Sequence, residues 1–209
     1  MAIETIGEFG WSSTEPAEHQ LMLLPVISSF LDRAGNGRSL LDLGCGNGWL
    51  SAQYARLGYA VTGCDVSEDG LKLASGAFPA VSYRRASVYD DLRALAPAGG
   101  FAAIVCSEVI EHLMDPAAML VNARRVLAKD GVFILTTPYH GYLKNFAIGA
   151  LDGWDSHFSV SHRGGHIKFF SPRSLRHMLS ETGFAASGFK GAGRAPLFWK
   201  SMVMAARPV

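Results

Sequence analysis

Short apolar runs that end in glycine or an acid alternate along this chain with stretches whose apolar residues recur every three or four positions. RSLLDLGCGNGWL reads as a strand, a glycine turn and the start of a helix that continues through SAQYARLG, with Gly58 placed to end it. YAVTGCD reads as a second strand, and SEDGLKLASGAF as a helix headed by Ser67. AVSYRRASV, FAAIVC and VFILTT supply the third, fourth and fifth strands. Between the last two, DPAAMLVNARRVLAKDG sets Leu120, Ala123, Val126 and Leu127 on one face; Asp115 heads this helix, Pro116 opens it and it stops before Gly131. A preceding helix is expected from Glu18 to Ala34, with Pro25 kinking it or sitting at its start. Strand–helix alternation of this kind predicts an open α/β sheet with helices on both faces and parallel early strands.

The pattern breaks after Pro138. Residues 139–170 are rich in glycine, aromatic side chains and histidine and have no clear period, which predicts a cover over the active site. Periodicity resumes in SPRSLRHMLSETG, a helix headed by Ser171 with Pro172 after it, and two last strands are expected within FAASGFKGA and LFWKSMVMAA. The whole chain, 1–209, reads as one domain carrying that insert.

Composition narrows the partners. Of the 209 residues 49% are hydrophobic, enough for a full core, and the net charge of +1 provides no general basic field for nucleic acid. Cys45, Cys64 and Cys106 form no CxxC, so reduced thiols in a cytoplasmic protein are expected. The start MAIETIGEFG lacks a signal-peptide pattern, and PLFWKSMVMAARPV is too short to span a bilayer. Nothing in the sequence speaks to oligomeric state.

The first candidate chemistry lies in DLGCGNGW. Gly44, Gly46 and Gly48 permit positive φ and close approach of a ligand to the backbone, and Asp42 stands in front of them. The next strand ends at Asp65, a carboxylate suited to two ribose hydroxyls at the carboxyl edge of the sheet. An adenosine-type ligand follows. NAD competes for such a turn, but the glycines run G-x-G-x-G, and a carboxylate at Asp42 suits a cationic amino-acid group better than a pyrophosphate.

The second is SEVIEHLMDP. If the chain turns helical after Ser107, Glu108, Glu111 and His112 share one side of the helix beside the crevice. They read either as an ordinary polar helix start or as ligands of a divalent cation; the carboxylates suit Mg²⁺, and the imidazole leans toward Mn²⁺, Fe²⁺, Co²⁺ or Zn²⁺. His140, His157, His162 and His166 fall within the insert, with His166 and then His140 the preferred proton acceptors. Tyr139, Tyr142, Phe146, Trp154 and Phe158 either pack the insert on the core or wall a planar substrate, and Arg163 and Lys168 make the segment locally positive. Gly10 to His19, with Trp11, is expected to fold over the ligand.

DLGCGNGWL, then GCD, EVIEH and GVFILTTP, resemble the class I S-adenosylmethionine-dependent methyltransferases over nearly the whole chain. The resemblance implies a Rossmann-like seven-stranded sheet of order 3-2-1-4-5-7-6, with strand seven antiparallel. It also implies that Gly44 to Gly48 face the methionine part, Asp65 the ribose, Ser87 and Val88 the adenine, and Cys106 with Ser107 the methionine again; Ser87 departs from the Asp common at its position. Joined to E-x-x-E-H, the pattern is similar to two groups: the ubiquinone-biosynthesis O-methyltransferases and the enzymes that methylate the terminal 2′-hydroxyl of small RNAs. Both imply a metal set of Glu108, Glu111 and His112, and GGHIKFFSP adds His166. The expected activity is O-methylation of a small catechol-like or vicinally hydroxylated metabolite, with Mg or Mn as a possible second cofactor. C- or N-methylation of another metabolite, RNA 2′-O-methylation, and a non-catalytic S-adenosylmethionine-binding sensor or partner are the alternatives.

Overall fold

The computed structural model describes residues 10–32, 37–158 and 164–209. Helix α1 (Glu18–Leu31) leads into strand β1 (Ser39–Leu43), helix α2 (Trp49–Arg56), strand β2 (Ala60–Asp65), helix α3 (Glu68–Ala77) and strand β3 (Ser82–Arg85). Strand β4 (Phe101–Ser107), helix α4 (Pro116–Val126) and strand β5 (Leu127–Pro138) follow; helices α5 (Tyr142–Ala150) and α6 (Trp154–His157) occupy the insert, and helix α7 (Pro172–Glu181) and strands β6 (Phe184–Ala192) and β7 (Ser201–Pro208) close the chain. The sheet has seven strands in the order β3-β2-β1-β4-β5-β7-β6, as the family resemblance implied. β7 runs antiparallel between β5 and β6, and the other pairs are parallel.

Period-two alternation assigns the strand residues to two cores. Leu41, Leu43, Ile104, Cys106, Phe133 and Leu135 face one side, where α4 and α7 contribute Met119, Leu120, Ala123, Leu175 and Leu179. Leu40, Ala103, Val105, Val132 and Ile134 face the other, covered by Leu23, Ile27 and Phe30 of α1 and Leu50 and Tyr54 of α2. Each fully buried Leu, Ile or Phe contributes on the order of 1.5–3 kcal/mol. With both faces covered, the strands' carboxyl edge is left to hold a ligand.

Local chemistry sets the helix ends. Ser67 Oγ accepts from the Gly70 N–H, Asp115 Oδ1 from that of Ala118, and Ser171 Oγ from that of Ser174. Gly58 follows the last residues of α2 at φ 89°, the left-handed geometry expected of it. Three boundaries differ from expectation. α4 stops at Val126 because Leu127 pairs with Phe101 and draws 127–130 into an irregular start of β5. β3 is confined to four residues, the length that pairs with β2. Pro25 lies inside α1 and not at its start. No helix among the described residues is long and apolar enough to cross a membrane.

Candidate active site

The turn after β1 depends on its glycines. Gly44, Gly46 and Gly48 have φ of 84°, 52° and 76°. A Cβ at Gly44 would lie 2.4 Å from Cγ2 of Val109, and one at Gly46 2.4 Å from Cζ2 of Trp11. Asp65 ties the turn to the end of β2: its Oδ2 accepts from the Gly46 N–H at 2.7 Å and its Oδ1 from the Ser67 N–H at 2.9 Å. Each carboxylate oxygen keeps a further acceptor position for a ligand hydroxyl. Asn47 reaches the other way, donating through Nδ2 to the carbonyls of Ser13 and Glu15, both at 3.1 Å. These bonds draw the segment from Gly10 over the turn and bring Trp11 and His19 to the ligand chamber.

That chamber has a volume of about 540 Å³. Asp42, Gly44, Gly46, Asp65, Ser87 and Val88 line it, as expected of donor-binding residues. Two expected members do not. Cys106 is fully buried in the core because strand alternation turns it away, and Ser107 takes the lining position. Gly48 starts α2, and a Cβ there would meet Ala74 and Tyr83, so it serves helix packing. Gln20, Asn47 and Tyr89 lie outside the residues expected from the sequence. Gln20 and Tyr89 line the chamber, and Asn47, between the glycines, was legible in principle as a tether. Asp42 is buried and accepts from Ser51 Oγ at 2.5 Å; burial, which outweighs that bond, pushes its carboxyl up to about 7.

The far wall departs from the expected helical turn. Only a short 3₁₀ turn forms, Ile110–His112, and Glu108 precedes it at φ 54°. The reversed backbone folds Glu108 onto β5 and β7: Thr136 Oγ1 donates to its Oε1 at 2.8 Å and Ser201 Oγ to its Oε2 at 3.1 Å. Burial pushes this carboxyl up to about 7, opposed by those two bonds and by the charge of Lys144. Glu108 therefore stands apart from Glu111 and His112, although it lines the chamber.

Glu111 does meet two histidines. Its Oε2 accepts from Thr137 Oγ1 at 3.0 Å, whereas its Oε1 is buried with no hydrogen-bond partner among the described residues. Nε2 of His112 and Nε2 of His166 each lie 4.0 Å from that oxygen. One ligating atom from each of Glu111, His112 and His166 falls within 4.8 Å of the others, a span that suits a metal ion. The insert is registered by backbone bonds: the N–H groups of Ile167 and Lys168 donate to the Glu111 carbonyl at 2.9 and 3.0 Å, which places His166. His112 Nδ1 lies 3.3 Å from the Gly165 carbonyl; donating there leaves Nε2 a lone pair aimed as a ligand requires. Burial, and then the charge of Glu108, raises the Glu111 carboxyl well above its ordinary value.

His140 is not in the chamber. It lies behind the wall among His157, Phe158 and Phe169, and burial pushes its imidazole down to about 4. It lines a second cavity with His157. His162 and Arg163 lie outside the described residues. Of the aromatic residues considered for a packed cover or a substrate wall, Tyr139 is buried against Trp199. Tyr142, Phe146 and Trp154 are exposed and line neither cavity, so neither expectation holds for them.

Comparison with known proteins agrees with this architecture. A family model described as a methyltransferase domain matches residues 17–186. The chain is 33% identical over 172 residues to a ubiquinone biosynthesis O-methyltransferase of Psychrobacter arcticus, covering 77% of this chain but only 64% of that relative. It is 32% identical over 182 residues to the protein of the same name from Chromobacterium violaceum, covering 83% and 76% of the two chains. Among solved structures, magnesium protoporphyrin IX methyltransferase of Synechocystis PCC 6803 with bound SAH shares the fold, with a TM-score of 0.68 at 20% identity over 91% of this chain and 84% of that one. A glycine turn tied to Asp65, a sheet of order 3-2-1-4-5-7-6 and a family match over most of the chain converge: this protein belongs to the class I S-adenosylmethionine-dependent methyltransferases.

Proposed function

We propose that this protein transfers the methyl group of S-adenosylmethionine to a hydroxyl of a small catechol-like or vicinal diol. The observation that carries the acceptor chemistry is the unpartnered buried oxygen of Glu111 between two imidazole nitrogens, on a wall of the donor chamber. The name shared by the relatives, O-methyltransferase, supports an oxygen acceptor.

Asp42 and the backbone from Gly44 to Gly46 receive the amino-acid end of the donor, Asp65 its ribose, and Ser87 with Val88 its adenine. Trp11 closes the chamber from the N-terminal side and limits water. In the transfer, an acceptor oxygen forms a bond to the methyl carbon as the carbon–sulfur bond breaks and its electron pair returns to sulfur. The protein's part is in-line placement of the two atoms. Glu111, His112 and His166 would hold a divalent cation, with Mn²⁺ suiting one carboxylate and two imidazoles better than Mg²⁺. Such an ion supplies Lewis acidity that lowers the pKa of the acceptor hydroxyl. If no ion is held there, His166, partly exposed on that wall, would instead take the hydroxyl proton. Of the described insert, His166 reaches the acceptor side.

The test follows labelled methyl from the donor into an extract of small metabolites, with and without chelator. Transfer to a hydroxyl that chelator stops and one cation restores is expected. A product methylated only on carbon or nitrogen would overturn O-methylation, and transfer indifferent to chelator would remove the cation and leave His166 as the proton acceptor.

A further inference from the structure

Helix α5 is built inside out. Its sequence YLKNFAIGA is mostly apolar, yet Tyr142 is 80% and Phe146 62% exposed while Lys144 is only 7% exposed. Burying an ammonium is costly unless an anion meets it. Among the described residues no carboxylate lies within 4.0 Å of Lys144. Glu108 influences it from farther away, and that carboxylate is already engaged by Thr136 and Ser201.

Lys144 opens onto the second cavity, of about 240 Å³, which Arg194 and Lys200 also line. Lys200 is paired with Glu18 outside the cavity, whereas Arg194 makes no ion pair among the described residues. The neighbouring imidazoles of His140 and His157 are held toward their neutral forms, by burial first and by the nearby cations. The lining thus gathers positive charge and hydrogen-bond donors and includes no acid; Glu18 acts on Lys200 and Arg194, and Glu108 on Lys144, from outside it. His166 lines both this cavity and the donor chamber, so the two adjoin at its ring.

We propose that this second cavity is a subsite for an oxyanion on the acceptor, a carboxylate or a phosphate ester, held by Lys144 and Arg194 while the acceptor's hydroxyl lies at Glu111, His112 and His166. This rests on the O-methylation reading for the hydroxyl end only. It narrows the substrate class to acidic diols, a selectivity that the near-neutral net charge of the chain conceals.

Calorimetry on the full chain loaded with S-adenosylhomocysteine tests the subsite directly, using 3,4-dihydroxybenzoate against its neutral amide, and glycerol 3-phosphate against glycerol. The anion of at least one pair is expected to bind roughly tenfold or more tighter than its neutral partner, as charge-assisted hydrogen bonds do. Lys144→Met and Arg194→Gln should each erase most of that ratio and leave the neutral ligands unchanged. Arg194 is exposed, so its variant keeps the test decisive if loss of Lys144 impairs folding. The pair that discriminates identifies carboxylate or phosphate. Equal or undetectable binding in both pairs, or a ratio that survives both substitutions, overturns the subsite. If the anions are selected but no diol is ever methylated, the subsite stands and the O-methylation reading falls.

Discussion

The proposed donor side and acceptor side of the chamber are made in different ways. The donor side comes from residues close in sequence, the turn from Asp42 to Gly48 and the end of β2, held by the bond from Gly46 to Asp65. Its requirements are backbone shape and buried polarity. The acceptor side is assembled from distant segments: Glu111 and His112 follow β4, Thr137 comes from β5, and His166 arrives on an insert fastened by bonds to the Glu111 carbonyl. In the proposed function, local geometry serves the donor and convergence of charge serves the acceptor. A substitution on one side should therefore leave the other side's readout intact.

The largest separation is expected for Glu111→Gln. Methyl transfer should fall on the order of 10²-fold, the scale of a misplaced reacting group, with donor affinity unchanged by calorimetry. The variant should be as stable as the parent or more so in thermal unfolding, because a buried carboxyl group with one unpartnered oxygen is replaced by a neutral amide. Loss of donor binding in this variant would show that the two sides are not separable.

Gly44→Ala is the converse. Positive φ costs a non-glycine residue about 1–2 kcal/mol, and the added Cβ also crowds Val109, so donor affinity should weaken roughly 30-fold. Transfer at saturating donor should fall much less.

The pH dependence of donor binding sharpens the same contrast. Burial pushes the Asp42 carboxyl up to about 7, and in the proposed binding mode the donor's ammonium would favour its ionised form. Binding thus releases a proton below that value, and affinity should rise with pH by up to about tenfold per unit before levelling above 7. Asp42→Asn should flatten the profile; an unchanged slope in that variant would assign the proton to another group.

The smallest effect is expected at the surface of the insert. Phe146→Ser removes a side chain that is 62% exposed and should change stability by less than about 0.5 kcal/mol in denaturant unfolding. Phe133→Ala, in the sheet and stacked on Phe184 at 5.2 Å, should cost about 3–5 kcal/mol. A large loss at Phe146 would mean that the insert is packed more like the core than its exposure shows.

Much of this protein was legible in its order of residues. Short apolar runs located the described strands and three-to-four-residue repeats the described helices outside the insert, because a strand covered on both faces is apolar along its length and a helix covering a core repeats its apolar positions at its own period. Glycine and acid spacing marked the turn between β1 and α2 and its tie to Asp65 for the same local reason. Tertiary structure alone decided the rest. It turned Glu108 away from Glu111 through a positive φ that no spacing reveals, and faced Cys106 into the core while Ser107 took its expected place. It also separated His140 from the chamber and buried Lys144 on a helix whose apolar residues look outward. Those outcomes depend on which distant segments pack together, and a one-dimensional pattern records the faces of an element without naming the neighbour that each face will meet.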